Sequence, residues 1–181
     1  MGTNRGGRHY ADAMSFVVHF LPTDRAAGPH PLGDLDAAPA SGASDHEEAL
    51  AADEVATWDG LHPTLVTLLP PGSHDVTATM FSRQLVHEST GLMVTWAHDD
   101  YQASMPFWRE NVGSGALDAL AAITEAIESA TGLVGVDEIS EGRFLDHRDQ
   151  VTATFAGVAD GYEQAMEHQT VLGWLRDKFR R

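Results

Sequence analysis

The residues best suited to chemistry in this chain are histidines and acids at the ends of two predicted strands. His98-Asp99-Asp100 follows one strand, and His87 lies across the predicted hairpin from it. Imidazole and carboxylate groups bind zinc and also act as general acids and bases. A zinc hydrolase needs about three protein ligands and an open position, and the sequence provides no third ligand. We therefore expect a turn with a capping aspartate here. No metal and no cofactor are predicted, and His87, His98 and Asp100 are the set to mutate as candidate transition-metal ligands.

Two further polar segments have groups that bind ions. Residues 113–115 (Gly-Ser-Gly) precede a predicted helix, where free backbone N–H groups can hold an anion. No lysine follows them and no G-x-G-x-x-G is present, so an ordinary helix start is expected. The second segment carries oxygen ligands suited to a hard cation, at a spacing that fits no known loop: Asp137, Glu138, Glu141, Asp146, His147 and Asp149. A solvated surface turn is expected there.

Several enzyme signatures are missing from the sequence. The chain has no cysteine, which excludes disulfides, thiolate zinc sites and cysteine nucleophiles. No nucleophile-elbow motif for serine hydrolysis is present, and His46-Glu47 does not begin an H-E-x-x-H zinc motif. A glycosidase pair remains open, because any two carboxylates could converge in the folded chain.

Charge and length limit the class of protein. The formal net charge of −16 over 181 residues repels nucleic acid and anionic membranes. This charge serves either solubility or attraction to a basic protein partner. No run is long enough to span a bilayer, and the N-terminus lacks the apolar segment of a signal peptide. We expect a cytoplasmic protein with no nucleic-acid or membrane partner.

The clearest elements lie in the middle of the chain. Apolar side chains alternate with others over 101–107, which predicts a half-buried strand. Ser114 can cap the helix that follows, and Gly132 is suited to end it. The helix has one apolar stripe, with members three or four residues apart: Ala116, Leu120, Ile123, Ile127 and Ala130. A short strand over 133–136 follows.

The remaining predicted strands precede this unit. They cover 15–20, 76–80, 84–88 and 92–97, with a hairpin turn at 89–91 between the last two. This order predicts an α+β fold: an antiparallel β-meander with helices packed on one face and a long C-terminal helix.

Other segments define the predicted domain limits. Residues 1–13 have no periodicity and are expected to be a disordered leader, before a single α+β domain over 14–181. Residues 21–44 are rich in Pro, Gly, Ala and Asp, which predicts an exposed loop. A strand is expected over 143–146, and 147–159 is compatible with helix or strand.

A helix is also predicted before the meander. Asp45 and Glu48 form a capping-box-like start, and the helix is expected to end at about Trp58. Pro63 then opens a separate helical turn, because proline is tolerated at a helix start.

A final helix is predicted over about 160–180. Its apolar residues lie at the end of the chain, beside several basic ones. Such a helix can dock into a groove of a partner or of a second copy. The alternative is that it folds back and covers the sheet of its own chain. The predicted partner-binding residues are Tyr162, Met166, Leu172, Trp174, Leu175 and Phe179.

Two motifs resemble elements of small, largely uncharacterised proteins from high-GC bacteria. Residues 104–108 (SMPFW) resemble an S-x-P-[YF]-W element, and residues 131–137 (TGLVGVD) resemble a T-G-L-x-x-Y-D element. The match covers less than half of the chain. Val136 replaces the usual tyrosine, and Glu138 stands where that family often has Pro-Gln. The resemblance implies an α+β fold and, for some members, an immunity or accessory role in toxin systems. It implies no catalytic residue.

Two classes of function follow from these observations. The first is a non-enzymatic, acidic protein-binding or accessory module, such as an immunity protein or an assembly component. The second is a small metal- or carboxylate-dependent hydrolase. The absence of any catalytic motif favours the first.

Overall fold

The sheet of this protein is antiparallel throughout. The computed structural model describes residues 15–33, 49–98 and 100–161. Within them, six strands pair in the order β2-β3-β4-β5-β1-β6. Their bounds are β1 (Ser15–Leu21), β2 (His74–Ala78), β3 (Ser82–His87), β4 (Met93–Ala97), β5 (Asp100–Pro106) and β6 (Val134–Asp137).

Four helices accompany the sheet in the described residues. They are α1 (Thr23–Ala26), α2 (Ala52–Leu68), α3 (Ala116–Thr131) and α4, which covers the described residues 148–161. Short 3-10 turns lie at Arg109–Asn111 and Phe144–Asp146. No helix in this part of the chain is both long and apolar enough to cross a membrane.

The main helices pack on one face of the sheet, which we call the helix face. A Cβ atom added at Gly135 of β6 would lie only 2.7 Å from the Thr124 side chain of α3, so glycine lets this helix approach the sheet closely. Trp58 of α2 packs against Trp96 of β4, with ring centroids 6.3 Å apart. The helix face carries most of the apolar core, including Phe16, Val18, Phe20, Val94, Trp96, Ala103 and Met105. The predicted α+β fold, with helices on one face of a meander, is confirmed.

The helix α2 differs from the predicted pair of short helices. It runs from Ala52 to Leu68 with Pro63 inside it. Proline removes one backbone hydrogen bond, but the helix buries Trp58, Leu61 and Leu65 along one side. This burial holds the residues on both sides of the proline against the core. Position 45, the predicted start, lies outside the described residues.

The region after β6 also differs from its prediction. Arg143 makes one isolated bridge to Val136, and the predicted strand at 143–146 is a 3-10 turn instead. Residues 148–161 are helical, so α4 begins well before position 160. Its buried residues Val151, Phe155 and Ala159 recur every four positions, which is helical spacing.

The described residues cover the other predicted segments only in part. Residues 1–13 and the final helix beyond 161 lie outside them. Within the predicted loop 21–44, residues 23–26 form the single turn α1, and 34–44 are not described.

Candidate functional site

The structure does not bring the candidate metal ligands together. In the β3–β4 ladder, Ser82 pairs with Ala97 and Val86 pairs with Met93. His87 therefore lies at one end of the ladder and His98 beyond the other end, roughly 20 Å apart along the strands. Among the described residues, no group of three or more histidines and acids is placed to hold a metal ion.

The third candidate ligand, Asp100, is engaged locally. Its Oδ1 atom accepts a hydrogen bond from the Gln102 side chain at 2.7 Å, and in the ladder it pairs with Ala97. Asp99 lies outside the described residues.

His98 is instead joined to an acid that the sequence analysis did not select. Its Nδ1 atom lies 3.0 Å from Oε2 of Glu54, in the first turn of α2. The hydroxyl of Tyr101, on β5, donates to Oε1 of the same carboxylate at 2.5 Å. A carboxylate at Nδ1 favours the tautomer that carries its proton there, so Glu54 orients the imidazole.

Glu54 also begins the helix that carries it. Its Oε2 atom accepts the backbone N–H of Ala51 at 2.7 Å, as the acidic residue of a capping box does. The side chain of Glu54 is only 11% exposed. One carboxylate thus fastens the start of α2 to both β4 and β5.

Aromatic rings extend this contact into the core. Tyr101 stacks on Trp96 with ring centroids 4.0 Å apart, and Trp96 packs against Trp58. Glu54 and Trp58 are four residues apart, so they lie on the same side of α2. This spacing was the signal in the sequence that could have identified Glu54 as a residue facing the sheet.

His87 is part of a separate buried group. The residue is fully buried, and its Nδ1 atom lies 2.8 Å from Oγ1 of Thr90. That oxygen also accepts the backbone N–H of Leu92. Within the described part of the chain the Nε2 atom has no hydrogen-bond partner, and a Cβ atom added at Gly72 would lie 2.7 Å from it. Burial lowers the pKa of His87, and the neighbouring His74 lowers it further.

Asn111 connects this group to the end of β5. It is buried, and its Nδ2 atom donates to the carbonyl oxygens of Thr90 at 2.9 Å and Pro106 at 3.0 Å. Thr90 therefore links His87 to the 3-10 turn before α3. The contact lies 21 residues away in sequence, so no local pattern could indicate it.

The two segments that carry ion-binding groups have local structural roles. The Ser114 hydroxyl accepts the N–H of Ala116 at 3.2 Å, next to Gly115 in the left-handed conformation. Asp137 is buried, and its Oδ1 atom accepts the N–H groups of Ile139 and Ser140. Both segments satisfy the backbone of their own turns.

The face of the sheet opposite the helix face, which we call the open face, carries a row of polar side chains that contains no acid. The row has one residue from each of five neighbouring strands, paired in register: Thr77, Gln84, Thr95, Gln102 and His19. These side chains are half-buried or exposed. The adjacent row contains Val86, Met93, Ser104 and Val17, with Asp75 on the outer strand.

Comparisons with protein families, curated proteins and solved structures find no match for this chain. The resemblance to small proteins of high-GC bacteria stays a prediction. The predicted partner-binding residues of the final helix, from Tyr162 to Phe179, lie outside the described residues.

Proposed function

We propose that this protein is a non-enzymatic protein-binding module and that the open face is its binding surface. One observation carries the proposal. A chain with a formal net charge of −16 presents, across five strands, a continuous row of hydrogen-bonding side chains that contains no acid, beside a row that includes Val86, Met93 and Val17.

The composition of the open face suits association with another protein. The centres of protein interfaces are depleted in charged residues and are more apolar than their rims. Val86 and Met93 supply apolar contact area, while Gln84, Thr95 and Gln102 offer both donors and acceptors. The acids Asp75 and Asp100 also lie on this face, so a partner avoids burying an unpaired charge where it is centred on Gln84 and Thr95.

The charge of the remaining surface favours a basic partner. Most acids of the described helices are exposed, among them Asp53 and Asp59 on α2 and Asp118 and Glu125 on α3. Their field attracts a positively charged protein over distances longer than a contact, which raises the association rate at low salt. The expected partner is a basic protein with an uncharged docking patch.

A small carboxylate-dependent hydrolase is the second candidate. It is favoured by one contact, because a carboxylate that orients an imidazole is the arrangement used for general-base catalysis. Against it, the Glu54 carboxylate already accepts from Ala51, His98 and Tyr101. These three contacts fasten secondary-structure elements together, and we take that as their role.

The binding proposal is tested with a photo-crosslinking amino acid at Gln102, in the middle of the open face. The matched control carries it at Ser129, an exposed polar residue of α3 on the other side of the molecule. The proposal expects one defined protein adduct from Gln102 in cells and none from Ser129. Binding of that purified partner should weaken at least tenfold with Gln102→Glu and stay unchanged with Ser129→Glu. Equal crosslinking from both positions, or none from Gln102, overturns it.

A further inference from the structure

The strand β2 lies at the edge of the sheet, and no described strand pairs with its outer side. All five of its residues are exposed, whereas every other strand has at least one buried residue. Among the described strands, β2 pairs with β3 alone. Its central residue, Val76, points to the helix face yet is 46% exposed. An unpaired edge of this kind is a template for pairing with another strand.

The hydrogen bonds to β3 determine which backbone groups of β2 point outward. The N–H of Glu88 donates to the carbonyl of Ser73, and the N–H of Thr79 donates to the carbonyl of Ser82. In an antiparallel pair the bonded residues alternate, so positions 73, 75, 77 and 79 face β3. The N–H and C=O groups of His74, Val76 and Ala78 consequently point away from the sheet.

We propose that β2 pairs with β2 of a second copy of this chain, antiparallel and centred on Val76. In this register Val76 lies opposite Val76 of the second copy, and His74 lies opposite Ala78. Every outward-pointing residue therefore meets an outward-pointing residue, which is the condition for a hydrogen-bonded pair. The two sheets join into one continuous sheet.

Neighbouring symmetric registers are poorer. A pair centred on Ala78 would bring Val76 opposite Met80, whose carbonyl already accepts the N–H of Leu50 at 3.0 Å. A pair centred on His74 would use Gly72, which precedes the strand.

An axis moved by one residue keeps outward-pointing residues opposite each other, but both such registers are also poorer. An axis on Asp75 places two carboxylates directly opposite each other. An axis on Thr77 pairs His74 with Met80, whose carbonyl is already bonded to Leu50.

The side chains also fit the register centred on Val76. Asp75 lies opposite Thr77 of the second copy, so the only acid of the strand does not face its own copy. Like charges directly opposite each other destabilise a strand pair. The exposed Val76 side chains meet across the symmetry axis and remove apolar surface from water.

This association is expected to be weak and sensitive to salt. Five residues on each side form a small interface, below the roughly 1,000 Å² typical of stable complexes. Two copies with formal charge −16 also repel each other, and salt screens that repulsion. Dimerisation should therefore strengthen with protein concentration and with ionic strength.

The first test uses NMR to measure amide hydrogen exchange at several protein concentrations. The outward N–H groups of His74, Val76 and Ala78 should gain protection as concentration or salt rises. Those of Asp75 and Thr77, already bonded to β3, should change little. The proposal is wrong if the exchange rates at 74, 76 and 78 do not depend on protein concentration. It is also wrong if all five residues of β2 gain equal protection, because that result would indicate general aggregation.

The second test places single cysteines in a chain that has none. In Val76→Cys, the two Cα atoms lie about 5.5 Å apart as a hydrogen-bonded pair, within disulfide range. In the control Thr77→Cys, the two equivalent residues are diagonal neighbours more than about 7 Å apart. With oxidised glutathione, covalent dimer should form at least tenfold faster from Val76→Cys. Equal rates from both variants overturn the register.

The third test uses proline. Val76→Pro removes only an N–H group that points away from the sheet. The hydrogen bonds between β2 and β3, which are made by other residues of β2, stay intact, and an edge strand tolerates proline at such a position. The control Val76→Thr keeps that N–H. Sedimentation should show loss of dimer in Val76→Pro alone, at an unchanged circular dichroism spectrum. If β2 does not pair with a second copy, photo-crosslinking from Gln102 on the open face is still expected. The two proposals are therefore tested independently.

Discussion

His87 and Thr90 are both buried, and the Nδ1 atom of His87 lies 2.8 Å from Oγ1 of Thr90. The hydroxyl satisfies one nitrogen of the ring, while the backbone of Gly72 closes over the other. These surroundings lower the pKa of His87, because desolvation disfavours the charged form of the imidazole. This arrangement makes His87 a source of pH-dependent stability.

We predict that acid destabilises the protein through His87. Burial lowers its pKa from the ordinary value of 6.5, so below that pH the unfolded chain binds a proton that the folded chain does not. Stability from this group is therefore present above about pH 6.5 and lost as the pH falls below it, by at most about 1.4 kcal/mol per pH unit. Urea midpoints at pH 7.5 and 5.5 measure the loss.

The control for this prediction is His87→Gln, which keeps a polar side chain beside Thr90 but cannot titrate in this range. Its urea midpoint should fall less than that of the parent chain over the same pH interval. His74→Gln, at the exposed neighbour on β2, should retain most of the parent's pH dependence. Parallel curves for the parent and His87→Gln would show that His87 does not contribute.

We predict that α3 carries a large part of the core energy. Ile123 and Ile127 are fully buried on one side of it, so Ile123→Ala and Ile127→Ala should each cost about 2–5 kcal/mol of unfolding free energy. Ser129→Ala, at an exposed position of the same helix, should change stability by less than about 0.5 kcal/mol. Losses below about 1 kcal/mol at both isoleucines would contradict the observed packing.

We predict that Glu54 stabilises the fold by joining α2 to the sheet. Glu54→Ala removes the acceptor for Ala51, His98 and Tyr101, and should cost about 1–3 kcal/mol. Asp53→Ala, its exposed neighbour, serves as the control and should cost clearly less. Because Tyr101 stacks on Trp96, tryptophan fluorescence of the Glu54 variant should also change. Equal midpoints for the two variants would exclude a fastening role.

We predict that the protein does not bind nucleic acid. Binding to a polyphosphate backbone depends on counterion release at a basic surface, and the formal net charge here is −16. A mobility-shift assay with duplex DNA at low salt should show no complex at micromolar protein. A salt-sensitive complex in that range would refute the electrostatic argument.

We predict that the residues from Tyr162 to Phe179 contribute to partner binding. Removing 162–181 keeps all of the described helix α4 up to residue 161. The shortened chain should keep its cooperative unfolding transition but bind the open-face partner more weakly. Loss of the transition would show instead that this segment belongs to the core, and the docking role would be wrong.

The sequence alone determined the elements that depend on local periodicity. Alternation over 101–107 predicted β5, and the spacing from Ala116 to Ile127 predicted α3, because each pattern places apolar groups on one side of a regular backbone. Glycine at 132 adopts the left-handed conformation expected at a helix end. Ala130, the last residue of the predicted stripe, is exposed, so the buried side of the helix ends before it.

Only the tertiary structure decided which distant residues meet. It inserted β1 between β5 and β6, joined Glu54 to His98, and placed His87 at the opposite end of the β3–β4 ladder. It also continued α2 through Pro63. Contacts between residues far apart in sequence depend on how whole faces pack to remove apolar surface from water, and the free energy of that packing outweighs local preferences. Periodicity reports which side of an element is buried, but not which other element covers it.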